Sequence, residues 1–257
     1  MIVFIMPYLF LFLLAPLFIL SGCASGPATG TYSPNNSIYA SGERIPQSDK
    51  IDKGTEEMLK AAESVGNKQE MIAILKRIYN AHPDDPAVAV RYARILREDD
   101  QIAAAERILT PFTQGAKTNE DALTEMAMTQ LALGEFEEAE KFAQKAIDKD
   151  DKNARAYLAL GTAQDGQAKH EEAELAFREG IKHWKGDATP IMNNLALNLA
   201  SQGHLQQALT LIETAQAKAP HRMDLERNRR IIATLLETAG PSAPAPGTKP
   251  DITPAAQ

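Results

Sequence analysis

Few side chains in this sequence have the types and spacing that chemistry at a site requires. The five histidines are scattered between positions 82 and 221, and the chain contains no GxSxG, HExxH, GxGxxG or Walker A string. The single cysteine, Cys23, excludes an intrachain disulfide and leaves a thiol-based metal site without further thiol ligands. The sequence therefore predicts no catalytic residue, no cofactor and no metal, and we expect a protein that is not an enzyme.

The position of Cys23 indicates another use of its thiol. Residues 1–20 carry no charge and are followed by small residues and then a polar run, which is the arrangement of an export signal. The string Leu20-Ser21-Gly22-Cys23 resembles the lipobox of bacterial lipoproteins. That resemblance implies a signal peptide over 1–22 and a lipid such as palmitate on Cys23. Because about 20 apolar residues can also span a bilayer, an uncleaved membrane anchor stays open as the alternative.

The residue after the cysteine bears on localisation. It is Ala24 rather than Asp, and in Gram-negative lipoproteins this implies transfer to the outer membrane, with the protein facing the periplasm.

Length and charge restrict the organisation and the partners. The 235 residues after the leader fit one domain with tails, at about 100–200 residues per domain. Because 27 Lys and Arg stand against 34 Asp and Glu, the net charge of −7 leaves no basic excess for phosphates. We therefore expect protein partners, and neither nucleic acid nor a small-molecule substrate.

The elements that position any binding residues come from a repeat. Small residues recur at intervals of 34, 34 and 35 positions, at Ala93, Ala127, Gly161 and Ala196. Twelve residues after each of these comes an alanine, at Ala105, Ala139, Ala173 and Ala208. Gly134 and Gly203 stand where a turn would divide a unit into two helices. Small residues are required where two helix backbones approach closely, so the pattern predicts stacked helical hairpins.

This pattern resembles the tetratricopeptide repeat family. The resemblance implies an all-α solenoid of about five helical hairpins in residues 52–239, with units starting near 52, 86, 120, 154 and 189 and a capping helix over 223–239. Residues 23–51 are rich in Ser, Gly and Pro and predict a flexible linker. Residues 240–257 are rich in Pro and Ala and predict a disordered tail.

In this family, four positions of each first helix line a concave groove that binds proteins. Counted along this sequence, the resemblance implies groove positions at Arg94, Arg97, Met128, Leu131, Arg155, Leu158, Thr162, Asp165, Asn193 and Leu197. For each of them a solvated helix face is the alternative interpretation. We expect reversal of Arg94 and Arg97, or change of Asn193 and Leu197, to weaken binding without unfolding the chain. Trp184 is either a junction aromatic or an exposed anchor for a partner.

The combination of lipobox, linker, five repeats and Pro-rich tail resembles the TadD lipoproteins of the tight adherence (Flp) pilus machinery. That resemblance implies a scaffold that acts in assembly of the pilus and its secretin by binding and not by catalysis. Two alternatives stay open. One is a pilotin-like or other envelope-complex lipoprotein, and the other is an adaptor that recruits a periplasmic hydrolase.

Overall fold

The structure is a computed structural model, and it describes residues 46–239. The predicted leader 1–22, Cys23 and the tail 240–257 lie outside the described residues, as does most of the predicted linker 23–51. Within 46–239 there are no strands, and the α-helices are α1 (Lys53–Ser64), α2 (Lys68–Ala81), α3 (Pro86–Glu98), α4 (Ile102–Leu109), α5 (Glu120–Leu133), α6 (Phe136–Lys149), α7 (Ala154–Gly166), α8 (His170–His183), α9 (Thr189–Ser201), α10 (Leu205–Lys218) and α11 (Met223–Thr238). The predicted all-α architecture of five hairpins and a capping helix is confirmed.

Polar side chains set the starts of several helices. Asn67, Asn119 and Asn153 each precede a helix and accept a hydrogen bond from a backbone N–H of its first turn. Asp85 caps α3 in the same way, and Pro86 follows it at the first helical position, where its missing N–H is not needed. These local signals fix where the helices begin.

Small buried residues allow the two helices of each hairpin to approach. Ala105, Ala139, Ala173 and Ala208 are fully buried. At Gly161 an added Cβ would lie 2.7 Å from the ring of Phe177, so the first helix of this hairpin contacts its partner through backbone. Gly134 ends α5 with a φ of 78°, a conformation that favours glycine. The repeated small residues therefore mark the points of closest approach.

The second hairpin departs from the pattern. Its second helix, α4, has only 8 residues and passes into a 3-10 turn at Thr110–Phe112. Pro111 lies in this turn, and a proline there removes a backbone donor that a longer helix would need. Phe112 is buried in the core and holds the turn against the helices.

Residues 46–51 contact the first hairpins. Pro46 is buried, and Ile51 packs against the hydrophobic core. The hydroxyl of Ser48 donates a hydrogen bond of 2.6 Å to the carboxylate of Asp85. No helix in the described range is long and apolar enough to cross a bilayer.

Candidate functional site

The first helices of successive hairpins form one layer. Helix α3 contacts α5, α5 contacts α7, α7 contacts α9, and α9 contacts α11. Among the described residues, no two second helices form a comparable contact. Because the first helices are closer to one another than the second helices are, their layer lies on the inside of the curve of the solenoid. We call the exposed side of α3, α5, α7, α9 and α11 the inner face.

The inner face differs between its two halves. In the N-terminal half, Arg94, Arg97, Met128 and Leu131 are buried, and so are Leu158 and Asn193 further along. In the C-terminal half, Thr162, Asp165 and Leu197 are half-buried. Ile231 and Leu235 follow on α11, with 49% and 45% of their surface exposed. On the inner face, the accessible aliphatic side chains therefore lie toward the C-terminal end. The predicted lipidation site, Cys23, lies outside the described residues.

A buried carboxylate organises the N-terminal half. Glu125 on α5 is fully buried, and its two oxygens accept hydrogen bonds from the Nε atoms of Arg94 at 3.1 Å and Arg97 at 2.7 Å. The Nη2 atom of Arg155 on α7 donates to the same carboxylate at 3.1 Å. One glutamate therefore joins the first helices of three successive hairpins.

The charges around Glu125 decide its protonation. Burial alone would raise the pKa of this carboxyl group, because a buried charge loses its hydration. The positive charges of Arg97, Arg155 and Arg94 and the hydrogen bond from Arg97 outweigh burial, and they lower the pKa of Glu125 well below its ordinary value. The group is ionised in the folded protein at neutral pH.

These contacts correct one expectation from the sequence. Arg94 and Arg97 have exposures of 2% and 4%, and both hold Glu125. Reversal to glutamate would bury like charges together and would unfold this region rather than leave the chain intact. Asn193 is also structural, because its side-chain oxygen accepts a buried hydrogen bond of 2.8 Å from Asn228.

Further hydrogen bonds connect neighbouring hairpins, and each joins two residues that lie about one repeat apart in the sequence. Asn153 donates to the hydroxyl of Thr124 at 2.9 Å, and Asn194 donates to that of Thr162 at 3.2 Å. Asn198 donates to Asp165 at 2.8 Å. Two of the predicted groove residues, Thr162 and Asp165, therefore each use a side-chain oxygen in a hydrogen bond to the next hairpin.

The aromatic residue at the junction has a structural contact. Trp184 is half-buried, packs against the C-terminal part of the core, and donates its indole N–H to the carbonyl of Asp187 at 2.8 Å. This matches the interpretation of a junction aromatic. In the described part of the chain, no group of three or more His, Cys, Asp or Glu is placed to hold a metal ion.

Sequence reasoning missed the most connected residue, Glu125. A signal was present, because Glu125 is the only charged residue between Ala122 and Leu133. An isolated charge in an apolar helix needs a buried partner. The arginines of α3, which occur at every third position from Arg91 to Arg97, are the complementary signal.

Comparison with known proteins agrees with this arrangement. Residues 120–153, which contain α5 and α6, match the tetratricopeptide repeat model. A thermophilic tetratricopeptide repeat protein of Thermus thermophilus has a TM-score of 0.61 at 18% identity, over 70% of this chain and 96% of that one. The described helices form a tetratricopeptide repeat solenoid.

Two further solved structures share the solenoid. A tetratricopeptide repeat protein from Parabacteroides merdae has a TM-score of 0.52 at 16% identity, over 70% of this chain and 72% of that one. A chain of the APC/C hetero-tetramer Cut9–Hcn1 has a TM-score of 0.63 at 10% identity, over 69% of this chain and 35% of that one. No curated protein matches the sequence. At these identities the likeness establishes the fold alone.

Proposed function

We propose that this chain is a scaffold that binds protein partners through the C-terminal half of the inner face. The observation that carries the proposal is the exposure of aliphatic side chains there. Leu197 and Ile231 stand 34 residues apart at equivalent repeat positions, and Leu235 lies one turn beyond Ile231. The half-buried Leu197 on α9 and the exposed Ile231 and Leu235 on α11 offer apolar area to a partner, and burial of apolar area contributes about 25 cal/mol per Å².

Polar groups border this aliphatic surface. Asp165 lies 2.7 Å from the ring of His170, and Arg227 is exposed on α11 one turn before Ile231. A rim of polar groups around an apolar centre is the general anatomy of a protein interface. The N-terminal half, in contrast, uses its charged groups to hold the hairpins together.

We further propose that the scaffold is held at the outer membrane through a lipid on Cys23 and faces the periplasm. The support is the sequence, namely the lipobox-like string that ends at Cys23. The resemblance to TadD lipoproteins supports a role in assembly of the tight adherence pilus and its secretin, without catalysis by this chain.

The test uses two variants on α11. Ile231→Asp and Leu235→Asp place charge on exposed positions, where substitutions usually change stability by less than about 0.5 kcal/mol. We expect loss of pilus assembly and of co-purified partner, because a lost interface anchor can exceed about 2 kcal/mol in binding. The matched control is Leu175→Asp on the second helix α8, where the side chain is 70% exposed.

The outcomes separate the parts of the proposal. Circular dichroism and protein levels must match the wild type before a loss is assigned to binding. Recovery of a secretin supports the pilus role, whereas another envelope protein or a hydrolase supports one of the alternatives. If both variants retain full partner recovery while deletion of 240–257 abolishes it, the tail is the binding element and the inner-face assignment is wrong.

A further inference from the structure

Equivalent positions of the first helices differ in burial along the inner face. One such position, which recurs at intervals of 34 or 35 residues, is occupied by Arg94, Met128, Thr162, Leu197 and Ile231. Arg94 and Met128 are buried at 2% and 3% exposure, Thr162 and Leu197 are half-buried, and Ile231 is 49% exposed. The same side of the repeat is therefore buried on α3 and α5 and accessible toward α11.

Neighbouring helices do not explain this difference by themselves. Met128 on α5 and Leu197 on α9 are comparable, because each is a long apolar side chain on a first helix that has another first helix on either side. In the described part of the chain, the elements that pack on α5 are α3, α4, α6, α7 and the turn at Thr110–Phe112, all beside it or behind it. Burial of Met128 on the inner side therefore indicates a further cover there.

The chain that precedes residue 46 joins the solenoid beside this buried region. Pro46 is buried, and the hydroxyl of Ser48 is bonded to Asp85, the residue that caps α3. The adjacent Asp84 forms an ion pair of 2.6 Å with Lys117, three residues before α5 begins. The preceding segment is therefore connected to the solenoid where α3 and α5 start.

We infer that residues 24–45 of the same chain bind across the inner side of α3 and α5 and cover Arg94 and Met128. The segment is long enough, because its residues can span up to about 70 Å at about 3.3 Å each. Helix α3 is only about 20 Å long, and packed helices lie about 8–10 Å apart. The tail 240–257 is not the occupant, because it follows α11, where Ile231 and Leu235 stay accessible.

The chemistry of the segment matches a surface that is rich in arginine. Arg94, Arg97 and Arg155 each have a further polar or electrostatic interaction besides those with Glu125. A guanidinium group carries five N–H donors and also stacks on aromatic rings. The segment offers acceptors through its backbone carbonyls and the carboxylate of Glu43. Its aromatic and large apolar side chains, which supply stacking and apolar cover, are Tyr32, Ile38, Tyr39 and Ile45.

Oxidation of methionines tests the cover in the full chain. Met126 and Met128 lie on the same helix with equal exposure, but Met126 packs into the core of the first hairpins. The variant replaces residues 25–45 by Gly and Ser at equal length and keeps Cys23. We expect hydrogen peroxide to oxidise Met128 several-fold faster in this variant, toward the rate of the 73% exposed Met223, while Met126 stays protected. Mass spectrometry of the peptides measures each rate. Unchanged protection of Met128 would overturn the proposal, because the inner-face side chains would then bury one another.

Crosslinking identifies the occupant without removal of the segment. A photo-crosslinking amino acid replaces Tyr39, and the same amino acid at Ile252 in the tail is the control. We expect position 39 to form an adduct with α3 or α5 of its own chain, and position 252 to form none with these helices. If the Gly and Ser variant exposes Met126 as well, this adduct decides the question.

Three results of the crosslinking would overturn the proposal. They are no adduct from position 39 to α3 or α5, an adduct from position 39 to a second chain in its place, and an adduct from position 252 to these helices. Because Ile231 and Leu235 lie at the other end of the inner face, partner binding there can fail or succeed independently of this result.

Discussion

Gly180 tests whether packing between hairpins outweighs helix propensity. It lies in the last turn but one of α8 and is buried. A Cβ at this position would lie 2.5 Å from Cδ1 of Ile191 on α9, 2.9 Å from Cβ of Tyr157 on α7 and 3.3 Å from the carbonyl oxygen of Ala154. The last two atoms cannot move without the backbone, so the added methyl group has no room.

Two effects of opposite sign act in Gly180→Ala. Replacement of a helical glycine by alanine gains about 1 kcal/mol of helix propensity. Overpacking costs about 1–3 kcal/mol, and contacts with backbone-anchored atoms place this site near the upper value. We therefore expect a net loss of about 2 kcal/mol in the free energy of unfolding. In a domain of this size that corresponds to a melting temperature lower by about 4–8 °C.

The assay is thermal and denaturant unfolding followed by circular dichroism, with a double-mutant cycle. Ile191→Val removes the Cδ1 atom and costs about 0.5–1.5 kcal/mol by itself. Combined with Gly180→Ala it should recover part of the loss, with a coupling of about 0.5–3 kcal/mol. The exposed Leu175→Ala in the same helix is the control. A Gly180→Ala protein as stable as the wild type, or more stable, would refute the reasoning.

Three further predictions follow from the described contacts and from the leader. Glu125→Gln should lower stability by about 3–5 kcal/mol, because it leaves buried guanidinium groups without their carboxylate. Folding lowers the pKa of Glu125. The stability that this group provides is therefore present above its unfolded pKa of about 4.3 and is lost as the pH falls below that value. Acid titration should show this loss in the wild type and not in Glu125→Gln. Ala173→Leu, at a fully buried contact, should cost about 1–3 kcal/mol in urea unfolding, and an unchanged midpoint would contradict the assigned contact. Cys23→Ser should abolish palmitate labelling and release the chain from its processed membrane form, whereas an unlabelled wild type that stays in the membrane would favour the uncleaved anchor.

The order and class of the elements were predictable from local chemistry. Capping residues, turn glycines and the small residues that recur every 34 positions make contacts within one hairpin or between neighbouring hairpins. They can therefore be recognised in the sequence. The fully buried Ala93, Ala127 and Ala196 show why this worked, because only small residues fit where helices meet. The short α4 is also explained locally, by Pro111.

The site was less predictable. The repeat position of a residue determines which side of the helix it lies on, but not which side chains contact it there. Arg94 and Arg97 were counted correctly as residues of first helices, yet Glu125 stands 31 and 28 residues away along the chain. Only the packing of α3 against α5 brings these side chains together. Because of it, residues expected on a binding surface form a structural ion cluster. Gly180 shows the same limit, since α8 alone favours alanine there. By itself the sequence determined the helices and their repeat. The packing of one hairpin on the next decided which polar groups are buried and which aliphatic side chains stay accessible, because burial and pairing depend on distances between segments that are remote in sequence.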